Sequence, residues 1–384
     1  MKIKVFTAFS GYDSQCLALN RLREQFPEFD YELVGWSEID KYAIQAHNAL
    51  FPQWAERNYG DISKIDWSKV PDFDLFTYSS PCQDFSNAGL QKGGEEGSGT
   101  RSSLLWECRR AIVAKRPKYL LLENVAALVS QKFLPLFNKW QAELESYGYS
   151  NFAQVLNSKD YGVPQNRERI FLLSILGNAS YHFPQPFNLE RRQKDVLEEN
   201  VDEKYYLSDK TIASFTEYCE RKAAEGCGFK FEPSDGGGYA KSITTNAGGR
   251  PTDNFIRTVE KDDVFFRGSV EGTSPCITSA CGAGGGMTPM LTDADLETTK
   301  TKELIEQVRG HEEMRYRIRK LTPRECFRLM GVDDKDIDTI EEAGISNSQQ
   351  YKLAGNSIVV DVLYHIFRKA FCETHNENQQ QTLF

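Results

Sequence analysis

The sequence predicts an α/β protein built on a mostly parallel sheet, with a second, smaller and irregular domain. Three observations carry that prediction. Short apolar runs alternate with amphipathic segments through the first half of the chain. Unusual polar residues stand directly behind those runs, where α/β sheets place ligands, outside the carboxyl ends of the strands. Near Phe183, Pro184, Gln185 and Pro186 the composition turns rich in Gly, Thr and Asp, and helical periodicity weakens.

The apolar runs at residues 2–9, 31–38, 73–80, 118–124, 152–158 and 168–176 read as buried strands. Between them, residues 14–26, 40–51, 102–116 and 134–147 have helical spacing. From 184 to about 310, glycine clusters at 236–238 and 284–286 predict short strands and long loops. Two segments there, 242–249 and 274–282, echo each other faintly, which we attribute to loop chemistry recurring by chance. Helices return with Thr322, Pro323, Arg324 and Glu325, a capping-box pattern, and residues 357–371 read as an apolar final helix. The expected organisation is one domain of residues 1–183 with 345–384 and a second domain with its hinge in 184–344.

Bulk properties are those of an ordinary globular chain of 384 residues, 40% hydrophobic and 26% charged. The amino-terminal run is too short and its continuation too polar for a signal peptide. No stretch approaches the ~20 apolar residues of a membrane span. The nine cysteines are odd in number and form no CxxC pair; Cys276 and Cys281 come nearest to one. A reduced, cytoplasmic protein without a structural metal is expected. The net charge of −9 disfavours a nucleic-acid partner taken globally, but charge acts locally. Arg309, Arg315, Arg317, Arg319, Lys320, Arg324 and Arg328 form one basic cluster, and Arg101, Arg109, Arg110, Lys115, Arg116 and Lys118 another. Each is either a solvated face or a polyanion contact, so charge permits such a partner without indicating it.

The chemistry-bearing residues sit at predicted strand ends. Cys82 lies behind Pro81 among Ser79, Ser80, Gln83 and Asp84, a polar turn rather than the core where isolated cysteines usually reside. Glu123, followed by Asn124 and Val125, ends an all-apolar strand, where a carboxylate is costly to bury without a partner. Gln165, Arg167 and Arg169 alternate before the last strand, which puts the two arginines on one face. Taken singly, a core thiol, a helix cap and surface ion pairs would account for these three features.

In order and spacing, these pieces resemble the C5-cytosine DNA methyltransferases of bacterial and phage type, and the likeness runs over nearly the whole chain. Phe9, Ser10 and Gly11 are similar to the first cofactor motif, Glu38 with Asp40 to the second, and Gly60, Asp61 and Ile62 to the third. Pro81, Cys82 and Gln83 match the nucleophile motif, Glu123 to Val125 the proton-handling motif, and Gln165, Arg167 and Arg169 the QxRxR signature. Residues 319–331 are close to the motif after the recognition domain, and Gly355, Asn356 and Ser357 match the last motif, whose helix packs back on the first strand.

The resemblance implies a Rossmann-like methyltransferase domain plus a target-recognition domain, and methyl transfer from S-adenosyl-L-methionine to C5 of a cytosine in a specific double-stranded DNA sequence. C5 is too weak a nucleophile to take a methyl directly; a thiolate adding at C6 makes the ring an enamine, the logic of covalent catalysis. By resemblance that thiolate is Cys82. Glu123 handles the proton at N3, Arg169 donates to the cytosine carbonyl, and Arg167 supports the site. The base must leave the duplex to be reached. On the cofactor side the resemblance implies Phe9, Gly11, Glu38, Ile39, Asp61, Ile62, Pro81, Asn356 and Ser357, with Glu38 on the ribose hydroxyls and Asp61 at the adenine amine. Two positions depart from the pattern: Tyr12, Asp13 and Ser14 stand where glycines commonly follow Gly11, and Ile39 stands where a larger or aromatic residue often stacks on adenine.

The polar, glycine-rich residues 84–100 match the family's mobile loop, with Ser86 facing the space vacated in the duplex. Sequence recognition falls to 184–318. There Ser242 with Ile243, and Cys276 with Ile277, are the candidates for the family's Thr-Leu-like pair, and the target sequence is not legible. The expected protein is a monomer acting on DNA. The sequence leaves open whether a cognate restriction endonuclease accompanies it, whether it stands alone or whether it is phage-borne. The tail from Gln380 to Phe384 resembles the peptide with which bacterial proteins dock on the replicative sliding clamp; an inert terminus is the alternative. Within the same chemistry, the competing reading is a tRNA cytosine-C5 methyltransferase, whose branch carries a Cys-Phe-Thr segment not found here. A DNA-binding protein that keeps the fold without catalysis is disfavoured by Cys82, Glu123, Arg167 and Arg169. An amine methyltransferase is disfavoured because its Asp/Asn-Pro-Pro-aromatic motif is not matched by Ser80 to Gln83.

Overall fold

The computed structural model describes residues 1–80, 101–259 and 316–373. Its first half runs β1 (Lys2–Ala8), α1 (Ser14–Gln25), β2 (Asp30–Ser37), α2 (Lys41–Leu50), β3 (Leu75–Tyr78), α3 (Cys108–Lys115), β4 (Tyr119–Val125), α4 (Leu134–Ser146), β5 (Tyr149–Asn157), β6 (Gln165–Asn166) and β7 (Glu168–Leu176). A six-stranded sheet has the order β2-β1-β3-β4-β7-β5. Strands β1, β2, β3 and β4 pair in parallel, and β7 runs antiparallel to both β4 and β5.

The apolar runs follow from burial on both faces of this sheet. Neighbouring residues go to opposite cores. Val5, Leu33, Leu75, Leu121 and Leu173 face one cluster with α1, while Phe6, Phe76, Leu120, Leu122 and Leu172 face another with α3 and α4. Strand β5 departs from the expected buried strand. It is the sheet edge, with Val155 39% exposed, because only β7 pairs with it and its outer side meets solvent.

Beyond the sheet come α5 (Asp209–Ala224), β8 (Ala240–Lys241), β9 (Phe255–Val259), β10 (Tyr316–Lys320), α6 (Pro323–Arg328), α7 (Asp334–Glu342), α8 (Asn347–Asn356) and α9 (Val360–Arg368). The four-turn helix α5 corrects the expectation of loops and short strands after residue 184. Ser208 caps it by accepting from the Thr211 amide, but Cys219 is its one buried residue, so its apolar stripe is thin. The expected capping box opens α6: Thr322 accepts from the Glu325 amide and the Glu325 carboxylate from the Thr322 amide. The final helix begins at Val360 rather than 357, and Val362, Leu363, Ile366 and Phe367 bury its apolar face in the first core, packed on α1.

The described residues form two compact units. The larger holds those up to 256 and from 320 onward; the smaller lies within 257–319. Residues of the 184–344 region, among them Val196, Tyr205, Ala240, Ile243, Leu321 and Phe327, share the core of the larger unit.

His365 on α9 is packed by Phe187, Tyr161 and Tyr364. Burial, reinforced by Arg368, lowers its pKa to about 4. The folded state therefore rejects a proton that the unfolded chain accepts near pH 6.5. Stability is expected to fall as pH drops from 6.5 toward 4. His365→Phe should flatten that slope in urea titrations at successive pH values; an unchanged slope would dissociate His365 from it.

Candidate active site

The carboxyl ends of β1, β2, β3 and β4 open into one cavity of about 610 Å³. Its lining includes Phe9, Gly11, Glu38, Ile39, Asp61, Ile62, Glu123, Arg167, Arg169, Asn356 and Ser357. Every expected site residue within the described part of the chain is thus in one place. Pro81 and Cys82 lie outside the described residues, as do Ser86, Cys276, Ile277 and the tail from Gln380; Ser79 and Ser80, which precede Pro81, line the cavity.

One end of the cavity is a carboxylate cradle. Glu38 accepts from the Gly11 amide at 2.9 Å through Oε2, and from the Ile39 and Asp40 amides at 2.7 and 2.8 Å through Oε1. Three backbone donors orient the carboxylate while leaving lone pairs for hydroxyls. Asn58, not singled out from sequence, holds the Glu38 backbone from both sides and accepts from the Gly60 amide. The Ser63 hydroxyl and amide hold the Asp61 carboxyl below the usual carboxylate range. Ile39 is 72% exposed on the cavity wall, an apolar face available for a flat ring. Lys352 reaches Asp40 at 2.5 Å; burial raises the Asp40 pKa, but Lys352 and the α2 amides outweigh it and hold the group low.

At the other end, β-sheet register brings the reactive groups together. Val125 stands opposite Arg169 on β7, so Glu123, two residues back on the same face, is the diagonal neighbour within reach of long side chains. Arg169 Nε lies 3.2 Å from Glu123 Oε1, and Ser79 donates to Glu123 Oε2 at 2.6 Å. The carboxylate costly to bury at 6% exposure is therefore partnered on both oxygens. Ser79 was a flanking residue in the sequence; its role follows from the parallel register that sets Tyr78 beside Leu122. Asn124 donates to the Ser80 carbonyl at 3.2 Å.

Arg167 turns the other way. Buried to 3%, it donates through Nη1 to the Ile243 carbonyl at 3.0 Å and the Ser242 hydroxyl at 3.3 Å, and through Nη2 to the Gly355 and Ser357 carbonyls at 3.0 and 2.9 Å. Gln165 adds a second tie, accepting from the Ile243 amide at 2.8 Å and donating to the Leu329 carbonyl at 2.6 Å. Glycine is required at 355, because a Cβ there would stand 2.5 Å from the Thr245 amide nitrogen. Asn356 projects from this braced turn, exposed on the cavity.

Of the described members of the basic clusters, most are bound into the fold. Arg324 pairs with Asp338 and Glu341 at 2.5 Å each, Arg328 with Asp334, Arg109 with Glu143 and Lys115 with Asp72, while Arg110 donates to the Ser63 and Ile65 carbonyls. Among the described residues no helix is long and apolar enough to cross a membrane.

The family model for C-5 cytosine-specific DNA methylase matches residues 3–372. The chain is 34% identical to the type II methyltransferase M2.ScrFI of Lactococcus lactis subsp. cremoris, over 96% of this chain and 99% of that protein. It is also 34% identical to the orphan methyltransferase M.SPRI of Bacillus phage SPR, over 96% and 97%. The structures of S. pombe Dnmt2 methyltransferase and Entamoeba histolytica methyltransferase EhMeth superpose with TM-scores of 0.64 and 0.66. Each covers 97% of this chain and 99% of its own at 17% identity, which shows the shared fold. The chain belongs to the C-5 cytosine-specific DNA methylases and is a DNA (cytosine-5-)-methyltransferase.

Proposed function

We propose that the protein moves a methyl group from S-adenosyl-L-methionine to C5 of a cytosine flipped out of a specific double-stranded DNA sequence, with Cys82 as nucleophile. The observation that carries this reading is the single cavity holding Glu38, Asp61 and Asn356 at one end and Glu123 with Arg169 at the other. The cofactor fits the residues present. The Ser10 hydroxyl is buried on the wall without a partner among the described residues, Glu38 retains acceptor capacity for a ribose diol, and exposed Ile39 offers an apolar face to a purine. Bound there, the cofactor supplies an electrophilic methyl on a sulfonium.

In this account Cys82 Sγ forms a bond to C6, and the C5–C6 electron pair shifts to C5, which takes the methyl. Glu123 delivers a proton to N3 as charge grows on the ring, while Arg169 donates to the base carbonyl and holds Glu123 in place. A base takes the C5 proton, the C5–H electron pair re-forms the double bond and expels Cys82 as thiolate, and N3 returns its proton to Glu123. Arg167 and Gln165 keep the Asn356 turn against the cavity. Residues 184–344 supply recognition and the hinge, and the tail at Gln380–Phe384 is a candidate sliding-clamp peptide.

The test is incubation with tritiated S-adenosylmethionine and either mixed duplex DNA or an equal amount of tRNA. Label in DNA recovered as 5-methylcytosine is the expected result; label in tRNA alone would move the substrate to RNA.

A further inference from the structure

The segment behind β1 adopts left-handed backbone at Phe9 (φ 54°), Gly11 (φ 59°) and Asp13 (φ 68°). Two of these three are not glycine, and such residues persist only where their surroundings hold them. Two holds are already evident. The Gly11 amide donates to Glu38, and the buried Asp13 carboxylate accepts from the Thr7 hydroxyl at 2.8 Å and the Cys16 amide at 3.2 Å. The third is Tyr12. Its ring is 1% exposed and meets Phe327 edge-on, and its hydroxyl donates to Ser357 Oγ at 2.7 Å, across 345 residues of sequence. Ser357 Oγ donates onward to the Ala354 carbonyl at 3.1 Å, closing the turn that presents Asn356.

We infer that Tyr12 is a positioning residue for cofactor binding, a buried strut coupling the strained Phe9–Gly11 turn to the Asn356–Ser357 turn, both of which line the same cavity. Tyr12 itself is not part of the cavity lining; Phe9, Ser10, Gly11, Asn356 and Ser357 are. It therefore acts through them. Burial pushes its phenol above the usual range, so the hydroxyl stays a donor across physiological pH. The buried ring packs on Phe327, and the hydroxyl ties the first turn to Ser357. Removing the hydroxyl alone should relax both turns without emptying the core.

The inference rests on the cofactor reading above. The experiment is isothermal calorimetry of S-adenosylhomocysteine binding to wild type, Tyr12→Phe, Ser357→Ala and the double variant, with thermal unfolding of each. Loss of one net hydrogen bond predicts a roughly 3- to 10-fold rise in Kd for Tyr12→Phe. The KM for S-adenosylmethionine should rise in parallel with kcat little changed, and the effects of Tyr12→Phe and Ser357→Ala should be non-additive. Absence of binding by the wild type would overturn the cofactor reading itself. Binding by Tyr12→Phe as tight as wild type, or additive effects in the double variant, would overturn the strut alone. A fall in unfolding temperature with unchanged Kd would assign Tyr12 a purely structural part and also overturn it.

Discussion

Arg167→Ala is expected to lower folding stability by roughly 3 kcal/mol or more, since each buried carbonyl left unsatisfied costs about 1–3 kcal/mol. The guanidinium is the shared donor for the carbonyls of Ile243, Gly355 and Ser357, which come from two segments distant from it in sequence. Alanine leaves these acceptors in a space from which water is largely excluded, and the turn carrying Asn356 loses its brace. Against a typical total of about 5–15 kcal/mol, such a loss is large. Arg167→Lys should recover only part of it, since one ammonium cannot reach all the carbonyl acceptors that the forked guanidinium spans. Urea unfolding measures both; a midpoint for Arg167→Ala within error of wild type would refute the brace.

Glu123→Gln should lower kcat by roughly 10²–10⁴-fold, the usual range for a general acid–base group. The fold should survive, because an amide oxygen still accepts from Ser79 and the site stands at the cavity rather than in the core. What disappears is the exchangeable proton and the partner of Arg169 Nε at 3.2 Å. Ser79→Ala tests the same carboxylate from its other oxygen and should cost roughly 10- to 100-fold, the worth of one hydrogen bond to a charged group. Single-turnover methylation rates at saturating cofactor separate the two; equal losses in both variants would mean that orientation rather than proton transfer is the role of Glu123.

The parts of this protein legible in its sequence are those where one residue type answers to one local demand. Central strands are buried on both faces, so Tyr119 to Leu122 reads as an unbroken apolar run and Leu75 to Tyr78 as one interrupted only by Thr77. Helix α5 was not legible because its surface is nearly all polar, and the glycine-rich stretches around it dominate the composition. Strand β5 read as buried because edge position depends on which strands pair, not on its own residues. In the site, Glu123 stood out as a polar residue behind an apolar strand and Arg169 as one before the last strand, while Glu38 and Asp61 were legible through the family resemblance. Tyr12, Asn58, Ser79 and Lys352 did not. Their functions are relations between segments, as with Lys352 and Asp40 at a separation of 312 residues.

The central claim is a covalent bond between Cys82 and the target cytosine. The direct measurement uses duplex DNA in which the target cytosine carries fluorine at C5, together with tritiated S-adenosylmethionine. Fluorine replaces the proton whose loss expels the thiolate, so methylation should proceed and release should not. The account predicts a labelled protein–DNA adduct that survives denaturation in wild type and is absent in Cys82→Ser. Wild type that methylates ordinary cytosine yet forms no adduct, or Cys82→Ser that still produces 5-methylcytosine, would contradict it.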